Sequence, residues 1–465
     1  MYSSSIPRDV RCIRWILLLS GWICCLANAQ TAADGYRADL TPPPSNSSGE
    51  INKIQILPDA KVLVAGRFDA INGQPRRNIA RLLPDGRVDL SFGNEIGPDR
   101  RVDDFVVLPD GKIVIIGTFN RVDDEFGFSS IARLNADGSL DTAFNPPLSG
   151  SFRAIARQSD GRLLVSTGDL SRYPRVQRLN ANGTLDTTFV QPDVSPEDSR
   201  FLVESIAIDA SDRILLGGSF RTVAGVSRIL IARLHPDGTL DSSFESPFAL
   251  SGSIRTVRSI VPDIDGRIYV GGGFFDIDDG QGTIRRLVVR LLEDGSLDTA
   301  YNPNVNDPFA SPVETMVLQP DGQLLIGGDF TDSGTGLRRL IRLDLDGQID
   351  PSLQPPDINF FGSVRGIDVQ ADGQILFGGR RLLRLNSTGE LDVDFDPQIG
   401  PDAAPDTMTW QTPGGYLIGG DFSQYNNTTQ DRITRIASDG SLDTTFQVGD
   451  GPNGAVEHVT VGLDR

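Results

Sequence analysis

Residues 231–244 read Ile-Ala-Arg-Leu-His-Pro-Asp-Gly-Thr-Leu-Asp-Ser-Ser-Phe, and this phrase decides the fold because the chain repeats it. In each copy a glycine follows an arginine by five residues and an aspartate follows it by eight. The eight copies are Arg81/Gly86/Asp89, Arg133/Gly138/Asp141, Arg178/Gly183/Asp186, Arg233/Gly238/Asp241, Arg290/Gly295/Asp298, Arg342/Gly347/Asp350, Arg384/Gly389/Asp392 and Arg435/Gly440/Asp443. Successive copies lie 42 to 57 residues apart, a period that indicates the blades of a β-propeller.

Each copy also has the composition of a blade. In the second copy, segments 101–108, 113–116, 130–134 and 139–144 are strand-like and are separated by turns of the Asp-Gly kind. Glycine suits such turns because it adopts positive φ without a steric cost. Four antiparallel strands per period is the blade of a propeller. We therefore expect an all-β propeller of eight four-stranded blades over residues 50–465.

The repeated side chains predict structural roles. Both faces of a blade pack on neighbouring blades, so the arginine of strand three should be at least partly buried and need a partner. The aspartate either pairs with this arginine or caps main-chain N–H groups of the turn. A catalytic group needs to occur only once, so the eightfold recurrence favours structure. The residue three positions after the aspartate is predicted to fill the hydrophobic core. It is Leu353 in copy six and aromatic in the others, as Phe92, Phe144, Phe189, Phe244, Tyr301, Phe395 and Phe446.

The phrase R-[LI]-x3-G-x2-D-x2-F resembles the delta-60 repeat family of bacterial exported proteins, together with an upstream Asp-Gly turn and a Gly-Gly-x-Phe strand end. The resemblance covers roughly residues 50–449. It implies a propeller-like β fold in secreted or surface proteins, and it implies no reaction and no catalytic residues. Three departures are Leu353, the loop-less seventh copy at Gly378-Gly379-Arg380-Arg381, and the turn Pro58-Asp59-Ala60-Lys61, which lacks glycine.

The N-terminus predicts export. A start with three arginines precedes the apolar run 15–26, and Ala27-Asn28-Ala29 is a signal-peptidase motif. The run is short for a membrane span. We expect a signal peptide over 1–29, cleaved near Ala29, and a secreted, periplasmic or cell-surface location; the alternative is an uncleaved anchor. Residues 30–49 are rich in Pro, Ser and Asn and predict a disordered leader.

Cysteine and charge narrow the chemistry. Cys12, Cys24 and Cys25 all lie in the predicted signal peptide, so the mature chain should have no disulfide and no thiolate site. The net charge of −19 disfavours nucleic acid and anionic lipid as partners. No later apolar run is long enough to predict a membrane span. We expect a monomer.

The two ends of the repeat region predict how the ring closes. Residues 454–464 restate the pattern of residues 49–59, so the chain holds eight copies and a ninth first strand. A closed ring leaves no open edge between its first and last blades. We expect residues 455–461 to complete the last of eight blades. The alternative is a truncated array of nine copies.

The sequence contains few groups suited to catalysis. Its two histidines are His235, at a turn position, and His458. It contains no H-E-x-x-H, P-loop or G-x-S-x-G motif. We assign no catalytic, cofactor-binding or metal-binding residue and expect no enzyme. Carboxylate chemistry remains open because it needs neither cysteine nor histidine.

Calcium and sugar are the weaker ligand hypotheses. Acidic clusters occur at Asp276/Asp278/Asp279, at Asp123-Asp124-Glu125 and between Asp344 and Asp350, but each supplies only some of the six to eight oxygens that calcium takes. Solvated turns are the simpler interpretation. Mature tryptophan is confined to Trp410, which weakens a lectin hypothesis, although Tyr173, Tyr269, Tyr416 and Tyr425 remain.

Recognition is expected in the loops that vary between copies. They follow the second strand, at 119–129, 220–228, 274–286 and 422–432, and variable loops of a propeller crowd one face. We therefore expect a non-catalytic binding or scaffolding module with a protein or glycan partner. The alternative is a calcium- or carboxylate-dependent glycan-active enzyme with its site in the central channel. An enzyme should place one-off acidic residues in the channel, whereas a scaffold should place only repeated ones there.

Overall fold

The computed structural model describes residues 40–41, 49–71, 74–93, 97–128, 130–148, 150–167, 176–195, 203–248, 256–273, 277–278, 284–303, 305, 307, 311–355, 363–379, 382–392, 395, 405–411, 415–420, 424–425, 428–430, 432–437, 442–443, 445–446, 452 and 456. These residues form strands and turns, and they include no helix with the length and apolarity that a membrane crossing needs. The predicted signal peptide, most of the leader and the tail apart from Val456 lie outside them. The chain divides into two compact units, residues 38–395 and residues 1–37 with 396–465.

Seven three-stranded antiparallel sheets make up the unit 38–395, one from each of the first seven copies, and we number them as blades 1 to 7. In chain order their strands are Glu50–Ile56, Val62–Arg67 and Ile79–Leu82; Val102–Val107, Ile113–Gly117 and Ile131–Leu134; Phe152–Arg157, Leu163–Thr167 and Val176–Leu179; Val203–Ile208, Ile214–Gly218 and Ile231–Leu234; Thr256–Pro262, Ile268–Gly273 and Val288–Leu291; Val313–Leu318, Leu324–Thr331 and Arg338–Leu343; and Gly366–Val369, Ile375–Gly378 and Leu382–Leu385.

The seven blades close on themselves. First strands of consecutive blades lie side by side, and the first strand of blade 7 lies beside that of blade 1. Across this junction the N–H of Ile51 donates to the carbonyl of Gly379 at 2.6 Å, and Arg365 pairs with Glu50 at 3.0 Å. The expected eight-bladed closure is therefore wrong for this unit. The angle between packed sheets sets how many blades complete a circle, and the number of copies in the chain does not.

The eighth copy forms a sheet of the other unit. Its strands are Pro405–Gln411, Gly415–Gly420 and Ile433–Ala437, paired in the same antiparallel order as in the blades. The expected role of residues 455–461 in closing the last blade lies outside the described residues.

The predicted fourth strand is reduced to a single bridge in each copy. In the second copy Leu140 bridges Leu134 across the Asp-Gly turn, and Asp141 then donates its N–H to the carbonyl of Arg133. The remainder of predicted strand 139–144 is turn and irregular chain among the described residues. The first three strands of this copy match the prediction to within two residues.

Glycine pairs at the ends of the second strands mark close approaches. A Cβ on Gly272 would lie 2.1 Å from the carbonyl oxygen of Thr256 in its own blade, where the first strand has a bulge. A Cβ on Gly271 would meet the side chains of Met316 and Val313 in the next blade at 2.7 and 2.9 Å. The first glycine therefore lets the blades pack together, and the second fits the bulge of the neighbouring strand.

Short outer strands follow the second strand of several copies, and two of them pair with a further short strand from the segment before the blade. They were not predicted as strands, and they are Ala70–Ile71 with Gln74–Pro75 and Leu40–Thr41, Arg121–Val122 with Glu125–Phe126, Thr222–Val223 with Val226–Ser227 and Val194–Ser195, Ile277–Asp278 with Ile284–Arg285, and Gln424–Tyr425 with Thr428–Thr429. Leu40–Thr41 lies in the segment expected to be a disordered leader.

Candidate functional site

The repeated arginine and aspartate form an ion pair in all eight copies. The Nε of each arginine lies 2.6 to 2.8 Å from Oδ2 of its aspartate. In blade 4 the side chains of Arg233 and Asp241 are only 2% and 5% exposed. The predicted pairing is confirmed, and the arginine is buried in five of the blades.

The same aspartate also caps the turn, so both predicted roles occur together. In blade 4, Oδ1 of Asp241 accepts the N–H of Ser243 at 3.0 Å and its hydroxyl at 2.6 Å, while Oδ2 faces Arg233. Burial would raise the pKa of Asp241, but the hydrogen bonds from Ser243 and Arg233 outweigh it and lower the pKa to about 2. The pKa of Asp186 is lowered to about 2 by the same balance of burial and hydrogen bonds.

The aromatic residue of the repeat lies beneath the guanidinium. The arginine Cζ lies 4.4 to 5.4 Å from the ring centre in all seven copies with an aromatic residue. In blades 1 to 5 and 7 these rings fill the core, as predicted, with Leu353 buried in the same place in blade 6. Phe446 of the eighth copy is only partly buried. The cation–π contact adds to the burial of the ring.

In each of the seven blades, the second arm of the guanidinium reaches the next blade. Nη1 donates to a main-chain carbonyl in the following Asp-Gly turn, and in blade 7 that carbonyl belongs to blade 1; the acceptors are Ala136, Ala181, Pro236, Glu293, Leu345, Ser387 and Pro84. We call this arrangement the arginine clamp. Through the clamp, the repeated arginines hold neighbouring blades together.

A third partner of the aspartate was not predicted. The side chain after the upstream Asp-Gly turn reaches the same carboxylate: Lys61 lies 3.0 Å from Asp89, and Lys112 lies 2.7 Å from Asp141. Gln323 donates to Asp350 in the same way at 3.2 Å. The recurring Lys, Arg or Gln at this position was the signal for this contact.

A chamber of about 400 Å³ opens between the first strands of blades 1, 2, 3, 6 and 7. Its lining residues are Lys53, Ile54, Gln55, Phe105, Val106, Val107, Arg157, Thr315, Met316, Val317, Gly366, Ile367 and Asp368. Lys53 pairs with Asp104 at 3.2 Å. The polar side chains differ from blade to blade, so the chamber contains one-off groups, including the carboxylate of Asp368.

The two carboxylates nearest the chamber bridge neighbouring blades. Oδ2 of Asp368 in blade 7 accepts the N–H of Ile56 in blade 1 at 2.6 Å, and Oδ2 of Asp104 in blade 2 accepts the N–H of Ile155 in blade 3 at 3.2 Å. Burial raises the pKa of Asp368, although both hydrogen bonds from main-chain N–H groups and Lys53 oppose the shift.

A belt of alternating charge lies next to the chamber, at the bulge of the first strands in blades 1 to 6 and just before the first strand in blade 7. In ring order it consists of Asn52, Asp103, Arg153, Glu204, Arg258, Glu314 and Arg365. Charges cannot alternate in sign around a ring with an odd number of positions. Neutral Asn52 lies between basic Arg365 and acidic Asp103, where two like charges would otherwise meet. Its amide donates to the carbonyl of Val102 in blade 2 at 3.0 Å. Arg258 and Glu314 form an ion pair between blades 5 and 6.

Two of the variable loops form outer hairpins of the same design, Arg121–Phe126 in blade 2 and Thr222–Ser227 in blade 4. Their two central residues all have positive φ: Asp123 and Asp124 in the first, Ala224 and Gly225 in the second. This conformation is the type I′ turn that suits two-residue hairpins.

The outer hairpins lie along the rim of the ring. Val122 and Asp123 line a small cavity with Leu134, at the end of the third strand, and Gly138, in the turn after it. The hairpin therefore folds back along the outer edge of its blade. Expected loop 119–129 therefore runs along this edge rather than crowding one face. The hairpins still expose apolar side chains, because Phe126 is 75% and Val226 44% exposed.

The acidic clusters that can be described are turns. Asp123 and Asp124 are hairpin residues, and Oδ1 of Asp344 accepts the N–H groups of Asp346 and Gln348. The part of the chain that the structure describes contains no group of three side chains arranged as metal ligands. His235 is exposed at its turn, as expected.

Several expected residues lie outside the described residues: Asp276, Asp279, Tyr173 and His458, together with the side chains of Asp278, Trp410, Tyr416 and Tyr425. Tyr269 is buried against Tyr301, with ring centres 5.5 Å apart, and offers no exposed surface for a sugar.

Structural comparisons give similarities at low sequence identity. The extracellular domain of a candidate one-component system from B. thetaiotaomicron is 13% identical, with a TM-score of 0.46, over 87% of this chain and 46% of its own. This chain therefore spans less than half the length of that protein. Virginiamycin B lyase from Staphylococcus aureus is 16% identical, with a TM-score of 0.49, over 74% and 96% of the two chains. For the WD40 β-propeller domain of Doa1 the values are 13%, 0.45, 75% and 96%.

No curated protein sequence is significantly similar to the chain. The profile described as "Domain of unknown function (DUF5122) beta-propeller" matches residues 57–92, 108–144, 158–189, 210–244, 265–301, 319–353 and 414–446, more than half of the chain. It matches copies one to six and eight, and not the loop-less copy seven, although that copy folds as blade 7. The chain belongs to the DUF5122 β-propeller family.

Proposed function

We propose that this chain is an exported, monomeric, non-catalytic propeller that binds a protein or glycan partner through the outer hairpins on its rim. One observation carries the proposal: hairpins of the same design in blades 2 and 4 present Phe126 and Val226 to solvent, whereas the repeated aromatic side chains are buried. Exposed apolar groups on rigid two-residue hairpins are suited to recognition, because little conformational freedom is lost on binding.

The resemblance to the delta-60 repeats and the predicted signal peptide support export. Both features come from the sequence, and they agree with a core that is built without any cysteine among the described residues. The partner is therefore expected outside the cytoplasm.

The glycan-active enzyme is less well supported. One-off carboxylates do lie at the chamber, as an enzyme requires, but Asp104 and Asp368 accept main-chain hydrogen bonds that join neighbouring blades. A carboxylate engaged in this way is poorly placed to move a proton during a reaction.

The proposal is tested with two double variants of the full chain. Phe126→Ser with Val226→Ser removes the apolar groups of the outer hairpins. Leu90→Ser with Val190→Ser removes two apolar groups that are also exposed, 54% and 49%, but lie outside the hairpins. Each immobilised protein is exposed to a glycan panel and to the extracellular proteins of the source cells.

We expect a partner that is retained by the wild type and by the Leu90/Val190 variant and is lost from the Phe126/Val226 variant. Melting temperatures of the three proteins should agree closely, because all four side chains are exposed. Equal retention by both variants would reject the outer hairpins as the binding surface.

A further inference from the structure

Three large apolar side chains are exposed at one end of blades 5 and 6. Ile264, Leu292 and Leu345 are 90%, 41% and 58% exposed. Ile264 lies in the turn between the first and second strands of blade 5, Leu292 follows the third strand of that blade, and Leu345 follows the third strand of blade 6. The first and third strands of a blade are both antiparallel to the second, so the turns that follow them lie at the same end of the blade.

These turns contact one another within and between the two blades. A Cβ on Gly266, in the first turn of blade 5, would lie 3.6 Å from the side chain of Glu293. A Cβ on Gly322, in the first turn of blade 6, would lie 2.7 Å from Cδ2 of Leu345. Nη1 of Arg290 in blade 5 donates to the carbonyl of Leu345 at 3.2 Å. The turns therefore form one continuous surface, which we call the turn patch; it consists of residues 263–267, 292–295, 320–323 and 344–347.

The turn patch carries negative charge without counter-ions. Asp294, Asp321 and Asp346 are exposed in it, and none of them has an ion-pair partner among the residues that the structure describes. The other two exposed carboxylates of the patch, in contrast, lie within 3.1 Å of an arginine. Three unpaired negative charges thus lie among the exposed apolar side chains.

The other blades do not share this composition. The residue after the first turn is basic in blades 1 to 5 and glutamine in blades 6 and 7, as Lys61, Lys112, Arg162, Arg213, Arg267, Gln323 and Gln374. The position of Leu345 holds proline, a small residue or glutamate in the other blades, as Pro84, Ala136, Ala181, Pro236, Glu293 and Ser387. The fold gains little from apolar side chains that stay in water. Exposed apolar groups that the fold does not require are typical of interaction sites.

Charge and apolar groups together define the partner. Carboxylates repel nucleic acid and anionic lipid, and a metal ion would gain nothing from the apolar side chains. A protein segment with basic and apolar side chains satisfies both, because burial of the apolar groups supplies affinity and complementary charge supplies orientation.

We propose that the turn patch docks a segment of another protein in which lysine or arginine residues alternate with large apolar residues. The patch contains none of the outer hairpins, so this proposal and the proposed function can fail separately.

The test measures peptide binding to the full chain by fluorescence anisotropy. Physiological ionic strength screens the long-range attraction of the net charge of −19. The labelled probe is a peptide of alternating leucine and lysine. A peptide of alternating serine and lysine keeps only its charge, and a peptide of alternating leucine and glutamate keeps only its apolar groups. Both control peptides should bind the wild type at least about tenfold more weakly than the probe.

Two double variants remove the two features of the patch. Ile264→Ser with Leu345→Ser should weaken binding of the leucine–lysine peptide about tenfold, because the burial of two large side chains is lost. Asp321→Asn with Asp346→Asn should weaken it about threefold, because exposed ion pairs contribute less. All four side chains are exposed, so both variants should melt like the wild type.

The matched control is Asp110→Asn with Asp137→Asn, which removes the exposed carboxylates at the same two turn positions of blade 2. It should bind the peptide as the wild type does. An equal loss of affinity in this control and in the Asp321/Asp346 variant would mean that net charge, and not the patch, attracts the peptide.

Other results would also overturn the proposal. One is wild-type affinity in the Ile264/Leu345 variant, and another is the absence of binding at millimolar peptide. Self-association of the wild type in light scattering, abolished in both patch variants, would overturn it in favour of a second copy of this chain as the occupant.

Discussion

At the scale of single residues, one carboxylate per repeat organises the contacts that hold a blade together. Asp241 uses one oxygen to cap its turn and the other to orient Arg233, and the free arm of that arginine then reaches the carbonyl of Glu293 in blade 5. Removing the carboxylate would therefore disturb a turn, a buried cation and a contact between blades at once.

Asp241→Ala should lower the free energy of unfolding by about 3–5 kcal/mol, because it leaves a buried guanidinium without its partner. Asp443→Ala in the eighth copy is the matched control. Its ion pair has the same geometry, but the two side chains are 31% and 26% exposed, so a much smaller loss is expected. Urea denaturation of both variants measures the difference, and an unchanged stability in Asp241→Ala would refute the role of the pair.

Acid should reduce the destabilising effect of Asp241→Ala. The pKa of Asp241 is lowered to about 2 in the folded chain, from about 4 in an unfolded one. Its stabilising contribution is therefore complete above about pH 4 and is lost as the pH falls through about 2. Wild type and variant should approach each other in stability over that interval, and a constant difference would contradict the assigned pKa.

The sequence predicted the ion pair but not two further contacts of its members. These are the hydrogen bond from the arginine Nη1 to the next blade and the contact of Lys or Gln with the aspartate. The pair follows from an arginine and an aspartate at constant spacing, which any alignment of the copies displays. The acceptor of Nη1 is a main-chain carbonyl, which every residue type supplies, so Ala136, Pro236 and Glu293 serve equally well and leave no pattern.

At the scale of elements, the Asp-Gly turns combine a backbone requirement with a contact between blades. Gly238 has φ of +94°, and a Cβ there would lie 2.2 Å from the carbonyl oxygen of Val190 in the linker after blade 3. Gly225, at the tip of an outer hairpin, has φ of +74° and open space around it. Substitution of Gly225 therefore tests the cost of the positive φ alone, whereas substitution of Gly238 tests that cost together with a steric clash against the linker.

Gly225→Ala should cost about 1 kcal/mol, since the only penalty is the positive φ. Gly238→Ala carries a similar strain and must also displace the backbone of Val190, which adds about 1–3 kcal/mol. Chemical denaturation of the two variants provides the comparison. Equal losses would mean that the turns do not pack tightly between blades.

Elements were predictable where periodic composition specified them. The three strands of each blade are long β-rich runs, and their limits in the second copy agree with the prediction to within two residues. The outer hairpins escaped prediction because each strand has two residues, too few to show alternation. The fourth strand is shorter than predicted, although the residues after the turn have a strand-like composition. Phe144 is instead buried in the core, and the carboxylate of Asp141 caps the N–H of Ala143.

At the scale of the whole molecule, the copies in the sequence do not equal the blades of the ring. The clamp of Arg384 ends on Pro84 of blade 1, and the belt of charge alternates from Asp103 to Arg365 with Asn52 between them. Both features belong to a ring of seven. Neither was readable from the sequence, because each depends on which blade follows the seventh, and the eight copies favoured an eighth.

A chain of residues 38–395 should therefore fold without the eighth copy. Its first and last blades already satisfy each other through the Ile51–Gly379 hydrogen bond and the Arg365–Glu50 ion pair, so closure requires nothing from residues 396–465. A chain of residues 38–355 is the matched control, because it lacks blade 7 and leaves the apolar faces of blades 1 and 6 uncovered. Circular dichroism and urea denaturation should show one cooperative transition for the longer chain and an unstable or aggregating product for the shorter one. If 38–395 proved as unstable as 38–355, the seven-bladed closure would not stand on its own, and the eighth copy would have to contribute to the ring.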